Sequence, residues 1–574
     1  MIYIIKIFGI IVASSLTSTI LTKERKMING MMMHCNLNIT SIMQHALALY
    51  SEQKIVTLKS DGVTTHEYTY KDAFDRVAQF ANSLDRLQVS KGAKVGTIAW
   101  NTYQHFELHY AIPCSERIYH TINPKLPHEQ LIQIITSAQD EVIVVEQDCL
   151  HIIESLHEHL KPFVKYFIVL GEIDKTLESS LDFIFYEELI AKESITYDWP
   201  DIAEQSASGL CYTSGTTGVP KGVLYSHRST VLHALTLSMP NVVGLDESSC
   251  IMPIVPLYHI SAWGIPFNAV LCGAKIVWPN SFAGQIQKIY NLIQTQSVDV
   301  SMAVPTIWTA LKNHLQENNI TETTLKRAIS GGSAASYSLI ESLSHHGIAL
   351  ENAWGMTETS SLGACNRVKD LKNIPKTQVL KCGRPIFGMQ MRLRDQHNKL
   401  LPHNGISEGV LEIRGHNVAQ SYSNIESNND SKQLTNNIAE DKETWFDTGD
   451  IATIDMHGYM NITDRAKDMI KTGGEWVSSV EIENAMLSHP NVAEAAVIAA
   501  NHSKWGERPL LILVAKPETQ IAHIDIEMYL THKLHKWSIP SATVLIDEMP
   551  YTGTGKISKK TLREKYYNYF MESE

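Results

Sequence analysis

The chain has 574 residues, of which 44% are hydrophobic and 19% charged. That balance supports a sizeable buried core and excludes both a disordered chain and a small disulfide-stapled one; at about 100–200 residues per domain the length suits three or four folding units. The formal net charge of −12, from 49 Lys plus Arg against 61 Asp plus Glu, leaves no chain-wide basic footprint for nucleic acid.

Residues 1–21, MIYIIKIFGIIVASSLTSTIL, form an apolar run broken only by Lys6, and Lys23, Glu24, Arg25 and Lys26 follow it. A cleavable signal fits poorly, because the basic cluster lies behind the run and no A-x-A site ends it. An anchor would have about 15 uninterrupted residues, short of the roughly 20 needed to span a bilayer. A start placed too far upstream is the third reading, since Met27, Met31, Met32 and Met33 offer later ones. The anchor and the upstream start stand level, with secretion behind both, and residues 1–33 are set apart as an N-terminal extension.

Over 50–350, β-rich runs alternate with amphipathic segments. KVGTIAW (94–100), EVIVVE (141–146), KYFIVL (165–170), CIMPIVP (250–256), KIVWP (275–279) and DVSMAVP (299–305) read as strands. Helices are predicted over 70–87 and 284–296; in the first, Ala73, Val77, Phe80, Ala81 and Leu84 recur at three- and four-residue spacings. This alternation predicts α/β architecture, with helix-covered, mostly parallel sheets. Residues 383–463 change to short strands and Gly turns, a compact antiparallel, β-barrel-like unit, with 423–443 an exposed polar loop. A smaller α+β unit follows, with helices near 478–488 and 524–536 and strands at 492–499, 510–515 and 543–547. No internal repeat is found. The eight cysteines, at 35, 114, 149, 211, 250, 272, 365 and 382, make no C-x-x-C pair. Reduced thiols in a cytosolic protein are the simplest reading.

The most informative stretch is YTSGTTGVPKGV (212–223), with three glycines, five hydroxyls and one lysine in twelve residues. Backbone N–H groups and hydroxyls in such a loop can meet phosphate oxygens, and Lys221 adds positive charge. It does not match G-x-x-x-x-G-K-[ST]. An ordinary flexible loop is the alternative, but the order Ser-Gly-Thr-Thr-Gly-x-Pro-Lys-Gly is long and unusual. After it come VPLYHISAWG (255–264), SGGSAAS (330–336), NAWGMTETS (352–360), WFDTGD (445–450), DRAKDMIKTGGEW (464–476) and TGTGK (552–556).

In that order, over residues 38–570, these blocks resemble the adenylate-forming superfamily of acyl-CoA synthetases, luciferases and peptide-synthetase adenylation domains. The chain is most similar to the fatty-acyl-CoA ligase branch. The 3-methylmercaptopropionyl-CoA ligases resemble it about as well, through YSHRSTVLHA (225–234), HTIN (120–123) and GGEWVSS (473–479). The resemblance implies an AMP-binding domain over 34–463 and a small mobile C-terminal domain over 464–574. It implies ATP, CoA and a carboxylic acid as substrates and Mg2+ as cofactor. A carboxylate is a poor electrophile, so attack on the α-phosphate of ATP first replaces its oxygen with AMP, and a thiol then displaces the AMP.

Residue by residue, the resemblance makes Lys556 the contact to the carboxylate and α-phosphate; at a reference pKa of about 10.4 it is a cation at pH 7. Glu358 and Thr213 would hold the metal, with Thr357 beside the phosphates. Lys556, Glu358 and His259 are the catalytic candidates. Thr213, Ser214, Gly215, Thr216, Thr217, Gly218 and Lys221 would cradle phosphate. Trp354 matches the position that packs on adenine, within Asn352, Ala353, Trp354 and Gly355, and Gly331, Gly332 and Ser333 match its other side. Asp450 matches the ribose carboxylate, followed by Arg465 and Lys467, with Asp464 at the hinge. Lys471 and Trp476 fall on the face of the small domain implied to build the thiol entry. Ile260 and Trp263 match the acyl channel, Trp263 being read equally as a gate or as core.

That block carries no acidic residue to receive a substrate ammonium, which disfavours amino acids. Two departures stand out. Relatives commonly have Gln-Gly where this chain has Asn352 and Ala353, and Asn keeps the amide but shortens its reach; they have small residues where it has Cys114, Ser115, Glu116 and Arg117, and the two charges are expected to disturb local helix packing but not the ATP site. The expected protein is an ATP-dependent acyl-CoA ligase in the cytoplasm, with membrane contact through 1–21 and a homodimer left open. Transfer to a carrier protein and a non-catalytic scaffold are the rivals.

Overall fold

The structure is a computed structural model; it describes residues 30–213, 220–368, 374–423, 444–472, 475–517, 519, 521–552 and 556–572. Contacts divide the chain into Met1–Asn36 and Leu37–Glu574. The second unit carries all the elements that follow.

Two large sheets dominate it. The first orders its seven strands as Phe183–Phe185, Tyr166–Leu170, Val142–Glu146, Lys94–Ile98, Ile118–Thr121, Ala207–Thr213 and Lys221–Ser226. Every neighbouring pair is parallel except the last. The second has nine strands, with Ala349–Trp354, Arg327–Ser330, Val300–Ala303, Cys250–Pro253, Lys275–Trp278 and Lys54–Leu58 parallel at its centre and antiparallel pairs at its two edges. All six strands expected from the branched runs are present. Helices form the connections. In Tyr70–Arg86 the face Ala73, Val77, Phe80, Ala81 and Leu84 is buried, and a reciprocal Thr69–Asp72 capping box starts the helix.

Residues Met389–Arg394, Gly409–Gly415, Phe446–Ile454 and Met460–Arg465 form a four-stranded antiparallel meander. The loop expected at 423–443 lies almost wholly outside the described residues. The last unit pairs the long strands Val492–His502 and Gly506–Ala515, adds Ala542–Leu545, and packs helices Ser479–Leu487, His523–Thr531 and Lys559–Tyr566 on them. The helix expected to reach 536 stops at Thr531, and Lys536–Ser538 forms a separate single turn.

The charged pair Glu116–Arg117 does not disturb helix packing, because helix Tyr103–Cys114 ends before it. Glu116 takes a left-handed turn at φ 65°. Arg117 is 1% exposed; it donates to the carbonyls of Ser115 and Val89 and to Asp85 Oδ1 at 2.7–2.8 Å. All eight cysteines are described and are free thiols. Among the described residues no helix is long and apolar enough to cross a membrane.

In open parallel sheets ligands meet the carboxyl ends of strands. Here three strands deliver motif residues at that end: Ala207–Thr213 presents Thr213, Arg327–Ser330 leads into 331–336, and Ala349–Trp354 leads into 355–360.

Candidate active site

Trp354, Asp450 and Arg465 form one connected group. The Trp354 indole N–H donates to Asp450 Oδ2 at 2.9 Å, and Arg465 Nε pairs with Oδ1 at 2.7 Å. Asp450 and Arg465 face each other across antiparallel strands, so the meander itself sets their distance. Asp450 is 2% exposed. Burial raises its pKa above the usual carboxylate value, while the Arg465 cation and the Trp354 N–H pull it back.

Glu358 lies in the single turn Thr357–Thr359 and is buried. Its Oε1 accepts the phenol of Tyr422 at 2.5 Å, and its backbone oxygen accepts Ala419 N–H at 2.8 Å. Burial raises its pKa, opposed by Tyr422, Arg465 and Lys221. The Tyr225 hydroxyl holds the Thr357 carbonyl at 2.6 Å. Lys221 opens the strand after the phosphate loop, and its Nζ stands 5.1 Å from the Tyr422 ring centroid. Thr213 closes the strand before that loop and is partly buried.

One carboxylate and one threonine hydroxyl are hard oxygen donors, suited to a Mg2+ that keeps most of its shell as water and phosphate. Among the described residues no group of three or more His, Cys, Asp or Glu side chains could hold a metal ion alone.

Lys556 reaches the 331–336 loop. A methyl group at Gly332 would lie 2.9 Å from Lys556 Cε and 3.7 Å from Nζ, and Gly332 has φ +88°. Gly332 thus meets two demands at once, a left-handed backbone and room for the lysine stem. The loop carrying Lys556 is closed by Thr552 N–H to the Lys556 carbonyl at 2.7 Å. Desolvation of the ammonium, then the Arg465 cation, lower the Lys556 pKa, and Asp450 opposes them. Asn352, one of the departures, is 1% exposed: its Oδ1 accepts Ala335 N–H at 3.0 Å and its amide donates to the carbonyls of Val379 and Leu380 at 3.4 and 3.3 Å. It braces the 331–336 loop from behind. Ala353 is partly buried, while Gly355 and Ser333 are exposed at the rim and Gly331 is half-exposed.

The 255–264 segment supplies another wall. His259 caps helix Ile260–Cys272, its Nδ1 accepting Ser261 N–H at 3.2 Å. Desolvation, with Lys556 adding to it, lowers the His259 pKa to about 4, so the ring is neutral at pH 7. Ile260 is buried. Trp263 donates its N–H to Leu257 O at 3.1 Å and packs among Tyr119, Tyr225 and His109. Its ring fills the space that a side chain at Gly209 would occupy, 2.6 Å from Cζ3.

The other expected residues are not gathered here. Lys471 and Trp476 face each other on an exposed hairpin, Nζ 5.5 Å from the indole centroid, and no described contact joins them to Asp450, Glu358 or Gly332. Lys467 is exposed, near Asp468, Arg465 and Arg563; desolvation lowers its pKa. Asp464, expected at the hinge, accepts Ser479 N–H at 2.6 Å and Ser479 Oγ–H at 2.9 and 3.0 Å. Ser214, Gly215, Thr216, Thr217 and Gly218 lie outside the described residues. Tyr422 and Tyr225 were not expected: Tyr422 adjoins a weakly patterned polar stretch, and no spacing rule links either tyrosine to 357–358.

Comparison with known proteins gives the same frame. The pattern described as AMP-binding enzyme matches residues 45–423, and that described as AMP-binding enzyme C-terminal domain matches 481–556. The chain is 38% identical to a medium-chain-fatty-acid–CoA ligase of Ectopseudomonas oleovorans, covering 95% of this chain and 98% of the relative. It is 37% identical to a 3-methylmercaptopropionyl-CoA ligase of Ruegeria lacuscaerulensis, covering 94% and 98%. A crystal structure of an anthranilate CoA ligase in complex with anthranoyl-AMP shares the fold, with a TM-score of 0.81 at 24% identity over 93% of this chain and 98% of that one. With the first pattern spanning most of the chain and both relatives aligned along nearly their full length, the chain belongs to the AMP-binding enzyme family.

Proposed function

We propose that this chain is an AMP-forming acid–thiol ligase that converts a carboxylic acid to its acyl-CoA through an acyl-adenylate. The observation that carries the reading is the convergence of Lys556, from the C-terminal end of the chain, on Gly332 beside the Trp354–Asp450–Arg465 group. In the first step a carboxylate oxygen attacks the α-phosphorus of ATP and pyrophosphate leaves. Lys556 neutralises charge between the two anions, Trp354 packs on adenine, Asp450 takes the ribose hydroxyls, and Lys221 meets phosphate. Bound Mg2+, held by Glu358 and Thr213, would neutralise phosphate charge. In the second step the CoA thiolate attacks the acyl carbon and AMP leaves with the bonding pair. Residues 464–574 act as the mobile domain and 34–463 as the AMP-binding domain, with Lys471 and Trp476 reserved for the second step.

The acid is a short- to long-chain fatty acid or 3-methylmercaptopropionate; the relatives at 37–38% identity are named for a medium-chain fatty acid and for 3-methylmercaptopropionate. The dependence on ATP and CoA favours the cytoplasm. Membrane contact through 1–21 and a homodimer belong to the same proposal. The test is mass spectrometry of acyl-CoA formed with ATP, Mg2+ and CoA from 3-methylmercaptopropionate, butyrate, octanoate or palmitate, beside Lys556→Ala. A thioester that disappears in the variant supports the ligase. A folded, ATP-binding protein that makes no thioester from any of them overturns it for these acids, and AMP release independent of CoA would point to another acceptor.

A further inference from the structure

One ring touches both halves of the phosphate side of the site. The Tyr422 hydroxyl donates to Glu358 Oε1 at 2.5 Å, and the same ring lies 5.1 Å from Lys221 Nζ. Tyr422 is 64 residues from Glu358 in sequence, so the contact is built by the fold. The segment around it is also tied down at Asn417, Ala419 and Ser423. Asn417 donates to Thr359 O at 3.1 Å and accepts from Ser360 Oγ at 3.0 Å; Ala419 N–H donates to Glu358 O at 2.8 Å; Ser423 N–H donates to Gly222 O at 2.8 Å. Residues 417–423 therefore form a strap joining the Glu358 turn to the strand that carries Lys221. The phenol of Tyr422 thus engages Oε1 of a carboxylate that is itself buried.

We propose that Tyr422 is a positioning residue, which orients the Glu358 carboxylate for a phosphate-bound divalent cation through its hydroxyl and seats the Lys221 ammonium against the phosphates through its ring. This rests on the reading of Glu358 and Lys221 given above. The two functions use different parts of one side chain, so two substitutions separate them. Tyr422→Phe removes the hydroxyl and keeps the face under Lys221; Tyr422→Ala removes both.

The experiment is calorimetric titration of the full-length chain with ATP, first in EDTA and then across a Mg2+ series, with thermal melting of each variant alongside. Tyr422→Phe should leave ATP affinity in EDTA within about twofold and move the Mg2+ midpoint about tenfold higher, the scale of one hydrogen bond to a charged group. Tyr422→Ala should weaken ATP binding in EDTA as well. A merely structural tyrosine would lower the melting temperature without moving the Mg2+ midpoint, and that result for Tyr422→Phe overturns the proposal. Glu358→Gln is the reference. If it shifts the midpoint and Tyr422→Phe does not, the positioning role alone falls; if neither shifts it, the metal reading of Glu358 falls and takes the proposal with it. Should Tyr422→Ala fail to fold, Tyr422→Phe decides.

Discussion

Trp354 donates its indole N–H to Asp450 Oδ2 at 2.9 Å, although 96 residues separate them. The two residues come from motifs assigned separately to adenine and to ribose, and in the fold they are one hydrogen-bonded unit. Because Arg465 takes Oδ1, both carboxylate oxygens are engaged before any nucleotide arrives, with lone pairs to spare. Asp450→Asn removes the charge that Arg465 pairs with and should weaken ATP binding about tenfold or more, the scale of a hydrogen bond to a charged group. Trp354→Phe leaves Oδ2 without its donor and should cost about 1–3 kcal/mol of stability. Calorimetry with ATP and chemical denaturation of each variant check the two effects separately.

Lys556→Ala should separate the half-reactions. Pyrophosphate exchange driven by ATP and acid should fall by about 10²–10³, as for loss of a group that stabilises developing charge. Thioester formation from supplied acyl-adenylate should stay within a few-fold of the parent. The pH profile gives a second check. The working form is the cation, and its pKa lies below that of an ordinary lysine. Adenylation should therefore decline as pH rises through a value lower than that of an ordinary lysine. Arg465→Met removes the nearby cation that lowers it and frees Asp450, which raises it, so the alkaline limb should move upward.

Much of this was legible in the chain. The β-branched runs and the 70–87 periodicity gave the strands and the helix because burial acts on local pattern. The motif order carried the resemblance that implies the reaction class and, with it, the roles expected of Lys556 and Asp450. What could not be read were contacts made by chain crossing. Tyr422 sits beside Glu358 only because the segment after strand Gly409–Gly415 returns to the 357–360 turn. Asn352 looked like a shortened ligand, yet its amide is consumed in bracing 335 and 379–380. Glu116 and Arg117 looked disruptive because sequence alone did not show the helix ending at Cys114.

Acid should destabilise the fold through buried imidazoles. Desolvation holds His105, His227, His233 and His259 at about 4 in the native state, against 6.5 for the unperturbed ring. Each native ring binds fewer protons than its unfolded counterpart between those values, so each contributes stability that is complete above 6.5 and is lost as pH falls towards 4. His233 is the cleanest case, because its Nε2 accepts Leu362 N–H at 3.3 Å and cannot do so once protonated. His233→Gln keeps an acceptor and removes the titration. Its melting temperature should fall less steeply than that of the parent between pH 6.5 and 4, and an identical slope would show that His233 does not contribute.

Gly209 and Trp263 test whether the indole is core or gate. A methyl group at Gly209 would lie 2.6 Å from Trp263 Cζ3 and 3.1 Å from Cη2, too close for either ring or strand to absorb without a shift. The indole is also fixed by its bond to Leu257 O and by Tyr119 and Tyr225, each with a centroid 5.3 Å away. Gly209→Ala should therefore destabilise the chain by about 1–3 kcal/mol, the range for overpacking. Trp263→Phe in the same background vacates the volume the methyl needs and should recover most of that loss. The acid profile of the double variant then decides the role. If Ile260 and Trp263 line the acyl path, as the resemblance implies, removing the outer indole ring should raise kcat/KM for octanoate relative to butyrate. Recovered stability with an unchanged profile would leave Trp263 a core residue, and the chain-length limit would have to be set elsewhere in the channel.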